Sequence, residues 1–137
     1  MYKNTLTMSY FIKLSTNYTF DEAINKITKS LQTEGFGILT DVDVKATLKE
    51  KLDVDFKKYR ILGACNPSFA YKALQVEDQI GIMMPCNVTV IEQENGHVEI
   101  SIMDPTAAFN VIENENLQPF AVELKHKLER CLTYLDN

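Results

Sequence analysis

Basic residues are scarce in the second half of this 137-residue chain. Residues 69–137 carry 4 lysines and arginines against 11 aspartates and glutamates, whereas residues 1–68 carry 10 against 8. The net charge of the whole chain is −5. Because a surface that neutralises phosphates needs clustered lysine and arginine, we expect no nucleic-acid partner.

Long apolar runs are also lacking. The run at residues 61–65 is far shorter than the roughly 20 residues that cross a bilayer. The N-terminus shows no apolar region followed by a small-residue cleavage site, so we expect neither a signal peptide nor a membrane partner. Three irregularly spaced cysteines do not form the disulfide framework of a small secreted protein, and a reducing cytoplasm is the expected location.

The familiar catalytic and metal motifs are missing as well. The sequence contains no C-x-x-C and no H-E-x-x-H, and Gly35 and Gly37 have no third glycine at the dinucleotide-binding spacing. His97 and His126 fall outside the apolar patterns, which disfavours a cysteine–histidine nucleophile. The sequence therefore assigns no metal, no cofactor and no catalytic residue.

Hydrophobic periodicity is what the sequence does contain. Thr19 and Glu22 have the spacing of a capping box, and apolar residues at helical spacing follow it up to Gly35. Alternating and helical patterns together predict the order β-α-β-α-β-α-β-β-α. We expect one domain over residues 1–137, an α+β two-layer sandwich whose mainly antiparallel sheet of about five strands has helices on one face.

A late hairpin sets the register of the last two strands. The pattern predicts a strand from Ile80 to Glu94, interrupted at Pro85, and then a two-residue turn at Asn95-Gly96. That turn would place Asn87 opposite Asp104 and distribute apolar side chains over both faces of the hairpin. It would also place Glu92 opposite Glu99, which is unfavourable, so a longer loop stays open as the alternative. Since only one face can pack on the helices, this register predicts a homodimer that covers the other face.

Two segments place thiols beside amides and prolines. Cys65 ends a predicted strand and directly precedes Asn66-Pro67, a strong helix-start signal. The positive end of that helix would favour the thiolate and make Cys65 the most reactive cysteine. Pro85-Cys86-Asn87 is the second segment. Cys131, on the apolar stripe of the last helix, is expected to be buried.

These segments carry a resemblance to a known family. The stretches ILGACNPSFA (61–70), MPCNV (84–88), DP (104–105) and DVKATLKEKL (43–52) resemble the domain of unknown function 302 family over residues 8–135, with residues 1–7 as an extension. The resemblance implies a compact α+β domain, found mainly in bacteria and archaea and often dimeric, and it implies no reaction. Its motif selects Cys65, Asn66, Pro67, Pro85, Cys86, Asn87, Asp104 and Pro105.

Three functions are compatible with this motif. The first is the binding or sensing of a small ligand through converging thiol, amide and carboxylate groups. The second is a thiol-dependent redox or sulfur-handling enzyme, and the third is a structural interaction module in which Asn66 and Asp104 only cap helices. The ligand-binding hypothesis names Cys65, Asn66, Pro67, Pro85, Cys86, Asn87 and Asp104.

Overall fold

The computed structural model describes residues 5–7 and 10–135. Its strands and helices are, in chain order, β1 (Thr5–Thr7), β2 (Phe11–Thr16), α1 (Phe20–Thr33), β3 (Gly37–Asp43), α2 (Val44–Leu52), β4 (Tyr59–Cys65), α3 (Pro67–Val76), β5 (Cys86–Glu92), β6 (Val98–Met103), α4 (Pro105–Phe109) and α5 (Gln118–Thr133). Two short 3-10 helical segments, Asp78–Met83 and Glu115–Leu117, complete the secondary structure of these residues.

The strands form one antiparallel sheet in the order β1-β2-β6-β5-β4-β3. The predicted α+β class and the order of the main elements are confirmed. The predicted extension, residues 1–7, lies outside the described residues except for β1, which adds a sixth strand beside β2. Of the described helices, none is long and apolar enough to cross a bilayer.

Alternate side chains of the central strands form the core. The capping box of α1 is present: the Thr19 hydroxyl accepts from the Glu22 amide at 3.2 Å, and the Glu22 carboxylate accepts from the Thr19 amide at 2.9 Å. The apolar sides of α1 and α5 pack on one face of β2, β5 and β6. The buried cluster there includes Ile12, Leu14, Ile27, Leu31, Val88, Val90, Ile100, Ile102, Leu128 and Leu132.

The segment before β5 differs from the prediction. The expected strand from Ile80 is a 3-10 helical segment, and β5 begins only at Cys86, directly after Pro85. Ile80 is buried in a second cluster with residues of α3, α4 and α5, whereas Ile82 is 79 % exposed. Short apolar runs fit a strand or a buried helical turn equally well, and a proline cannot donate to a strand ladder.

The register of the two-residue turn is wrong by one residue, and the longer loop that was left open is present. Val90 pairs with Ile100, and Ile91 pairs with Glu99. The loop has three residues, because the Gln93 amide donates to the His97 carbonyl at 2.8 Å. Among the described residues only Asp53, Gly35 and Gly96 have positive φ. A two-residue turn of the predicted kind would have needed positive φ at Asn95 as well.

This one-residue difference moves the side chains of β6 to the other face of the hairpin relative to those of β5. Val88, Val90, Val98, Ile100 and Ile102 are all buried on the helix-covered face. The other face of β5 and β6 is mixed, carrying Asn87, Thr89, Ile91, Glu99, Ser101 and Met103. The apolar second face that motivated a homodimer is therefore not formed, and the homodimer stays a prediction without that support.

Candidate functional site

An apolar cavity of about 310 Å³ lies where β4 ends and β5 begins. Helices α3 and α5 and the segment before Pro85 form its other walls. Its lining combines four phenylalanines with four sulfur-bearing side chains: Phe36, Phe69, Phe109, Phe120, Cys65, Met83, Met84 and Cys86. A wider hollow beside residues 55–57 and 93–95 is open surface lined mostly by exposed polar residues.

Asn66 connects the cavity wall to two helix ends. Its Oδ1 accepts from the Phe69 amide at 3.3 Å and caps α3, as the Asn-Pro signal predicts. Its Nδ2 donates to the Glu34 carbonyl at 3.1 Å, at the end of α1. Gly35, at φ +85°, leaves room for this amide, because a Cβ there would lie 3.1 Å from Nδ2. The Asn66 side chain thus joins the two helices beside the cavity.

Pro85 lies directly against β4. A Cβ built on Gly63 would stand 2.7 Å from Pro85 Cγ and closer still to Thr40 Oγ1, so any side chain at position 63 would force these groups to move. The Met84–Pro85 peptide bond is cis. Ala64 pairs with Cys86 across the ladder, which brings the two cysteine-containing segments together at the cavity.

Burial raises the pKa of both cavity thiols. Cys86 is 8 % exposed, and desolvation, assisted by the nearby Cys65 charge, raises its pKa to about 12. Desolvation also raises the pKa of half-buried Cys65, so the expected activation by the start of α3 is wrong in direction. Pro67 has no amide hydrogen, and the Phe69 amide already donates to the Asn66 side chain. Few backbone amides at the start of α3 are therefore free to stabilise a thiolate.

The other residues named from the sequence lie elsewhere. Asp104 caps α4 by accepting from the Thr106 amide at 3.0 Å, and it pairs with Lys125 Nζ at 3.0 Å. Burial opposes its ionisation, but the hydrogen bonds from Thr106 and Lys125 lower its pKa. Asn87 is exposed on the opposite face of the sheet, and Pro67 is exposed in the first turn of α3.

The predicted site residues therefore divide into two groups. Cys65, Asn66, Pro85 and Cys86 line the cavity. Pro67, Asn87 and Asp104 do not, and Pro105 is buried as the first residue of α4. Cys131 is fully buried in the main core, as its position on the apolar stripe predicts.

Sequence reasoning missed the aromatic part of the cavity. The rings of Phe69 and Phe120 meet edge to face at 6.4 Å, and Lys127 Nζ lies 5.8 Å from the Phe69 ring centroid. Lys127 is itself 3.9 Å from the Glu34 carboxylate, which Arg130 also binds at 2.9 Å. In the sequence, periodicity identifies these phenylalanines only as apolar residues. That pattern is the same whether the residues line a cavity or fill a core.

The comparisons with known proteins agree with this fold. The family model described as "Domain of unknown function DUF302" matches residues 12–135. A crystal structure titled as an uncharacterized conserved DUF302 protein from Bacillus stearothermophilus is 31 % identical, with a TM-score of 0.83. The match covers 89 % of this chain and 94 % of that one. No functionally curated protein matches the sequence significantly. The chain belongs to the DUF302 family.

Proposed function

We propose that the protein binds a small, uncharged, mainly apolar molecule in the cavity between α3, α5 and the start of β5. The volume of about 310 Å³ lies at the lower end of the usual range for ligand sites, roughly 300–1,000 Å³. It corresponds to about ten water molecules at their share of liquid volume. A compact molecule with one ring fits this space better than a nucleotide or a peptide does.

The apolar lining, with its few polar groups already engaged, is the observation that carries the proposal. Among the described residues that line the cavity, none has an ionisable side chain other than Cys65 and Cys86, and raised pKa values keep both of these thiols neutral at pH 7. Both ends of the Asn66 amide already form hydrogen bonds. Placing a charge in such a site would cost several kcal/mol, which favours a neutral ligand.

Aromatic contacts supply the attraction. Phe36, Phe69, Phe109 and Phe120 come from different parts of the chain and line one space. Edge-to-face and offset contacts between rings contribute about 0.5–1.5 kcal/mol each beyond simple burial. A planar aromatic ligand therefore gains more from these walls than an aliphatic molecule of the same volume.

The thiol-enzyme alternative lacks comparable support. A nucleophilic cysteine needs a lowered pKa or an adjacent base. Here burial raises the pKa of Cys65, and no histidine or carboxylate occurs among the described lining residues. The three cysteines form no disulfide, as is usual in a reducing compartment, and on this basis we propose a cytoplasmic location.

Binding of 4-fluorotoluene, a neutral one-ring probe followed by its fluorine NMR signal, and its displacement by other neutral aromatic fragments test the proposal. Ala70→Phe fills the cavity and should weaken probe binding at least tenfold. Ala46→Phe, on exposed α2, is the matched control and should leave it unchanged. Phe120→Ala enlarges the cavity and should admit larger fragments. Equal probe binding by the Ala70 and Ala46 variants would contradict the proposal and favour a structural module.

A further inference from the structure

Two leucines that line the cavity differ from the rest of its wall because they are exposed. Leu39 is 68 % exposed and Leu74 is 42 % exposed, and both line the cavity. Every other described lining residue is buried or half-buried. Side chains that border a cavity and also meet solvent lie at its opening. The mouth of the cavity is therefore between β3, which carries Leu39, and α3, which carries Leu74.

Leu39 occupies an irregular position in β3. Ile38 pairs with Ala64, whereas Thr40 pairs with the adjacent Gly63. Leu39 is therefore an extra residue between two successive pairs of the ladder. A bulge of this kind bends the strand and changes the direction of the side chains beside it. In this strand the bulged residue is a leucine that borders the mouth of the cavity.

An apolar wall connects this mouth with the aromatic interior. On α3, Leu74 follows Ala70 by four residues, and Ala73 follows Phe69 at the same spacing. Residues four apart are neighbours on one face of a helix. All four side chains line the cavity. The face of α3 thus presents carbon to the cavity from the Phe69 ring to the mouth.

The cavity is also larger than a single unsubstituted ring needs. A cavity of about 150 Å³ holds benzene, whereas this one measures about 310 Å³. A ring against the phenylalanines therefore leaves roughly half of the space for a substituent. That substituent has an apolar route towards the two leucines.

We infer that the ligand is an aromatic ring with an apolar chain, and that this chain lies between Leu39 and Leu74 at the mouth. The inference rests on the proposed function and narrows its ligand class. The two leucines are specificity-determining residues, since each methylene group that they remove from water raises affinity up to about fourfold. A ring without a chain leaves both leucines in contact with solvent.

Two fluorine probes that differ by three methylene groups, 4-fluorotoluene and 1-butyl-4-fluorobenzene, test the inference by fluorine NMR. The unchanged chain should bind the butyl probe at least tenfold more tightly. Leu39→Ala and Leu74→Ala should each reduce this preference at least threefold. Because the shorter probe does not fill the mouth, its own affinity should stay within about twofold of the original value.

The ratio of the two affinities separates specificity from structural damage, which would weaken both probes alike. Both leucines are exposed, so their alanine variants should fold. Leu52→Ala is the matched control, because Leu52 is 66 % exposed at the end of α2 and does not line the cavity. This variant should keep the full preference for the butyl probe.

Three results would overturn the inference while 4-fluorotoluene still binds and Ala70→Phe still blocks it. They are equal binding of the two probes by the unchanged chain, an unaltered preference in both mouth variants, and an equal loss of preference in Leu52→Ala. In each case the proposed function stands. Failure of 4-fluorotoluene to bind the unchanged chain would instead refute the proposed function, and this inference with it.

Discussion

Replacing Gly63 by alanine tests the packing of Pro85 and Thr40 against β4. The new Cβ would overlap Thr40 Oγ1 and lie 2.7 Å from Pro85 Cγ. Rotation of the threonine side chain relieves the first contact, since Thr40 Cβ itself is 3.4 Å away. The rigid proline ring offers no such rotation, so the start of β5 must move away from β4.

The expected cost follows from two opposing effects. Forcing an extra methyl group into a packed site costs about 1–3 kcal/mol. Removing a glycine from a strand returns about 0.5–1 kcal/mol. We therefore expect Gly63→Ala to lower the free energy of unfolding by about 1–2 kcal/mol, which corresponds to a fall in Tm of roughly 3–8 °C for a chain of this size.

Gly37→Ala is the matched control for urea and thermal unfolding. Gly37 lies on neighbouring β3, and a Cβ there meets no atom within 4 Å. This variant should be as stable as the unchanged chain or slightly more so. If the Gly63 and Gly37 variants differed by less than about 0.5 kcal/mol, the steric reasoning at Pro85 would be refuted.

The cysteines and the oligomeric state provide further tests. Burial raises the pKa of Cys86 from its ordinary 9.0 to about 12, so stability should fall as pH rises from about 9 towards 12, by up to about 1.4 kcal/mol per pH unit. Urea unfolding of Cys86→Ala should show a smaller loss of stability than the unchanged chain over the same pH interval. Substoichiometric iodoacetamide should label Cys65 first, Cys86 second and Cys131 only on unfolding; peptide mapping that found Cys131 first would contradict its burial. Light scattering should return twice the chain mass of 15.6 kDa, and a value near 16 kDa at micromolar concentration would argue against the homodimer.

The sequence correctly predicted the helix starts that depend only on residues close together in the chain. The capping box at Thr19 and the Asn66-Pro67 helix start depend on residues three apart, and both are present. The position of β5 depends instead on Pro85 resting against Gly63, which is distant in sequence. The hairpin register depended on whether Asn95 adopts positive φ, and the dipeptide alone does not decide between a two-residue and a three-residue loop.

The candidate site was predictable only where it coincides with unusual residues. The sequence singles out Cys65, Asn66, Pro85 and Cys86 because each of their two segments places a thiol beside an amide and a proline. The phenylalanine walls gave no separate signal, since a residue that lines a cavity and one that fills a core have the same hydropathy. The helix-end effect on Cys65 was overestimated because desolvation depends on packing that a sequence does not display.

The strand order has a consequence for the time course of folding. Strands β3, β4, β5 and β6 are neighbours both in sequence and in the sheet, whereas β2 pairs with β6 from the far end of the chain. Thr16 lies opposite Val98, a separation of 82 residues. Distant pairings form slowly because a long loop must close before they contribute. On a ribosome, β2 must therefore wait until residues 98–103 have emerged, and pulsed hydrogen exchange during refolding should protect β4 and β5 amides before those of β2.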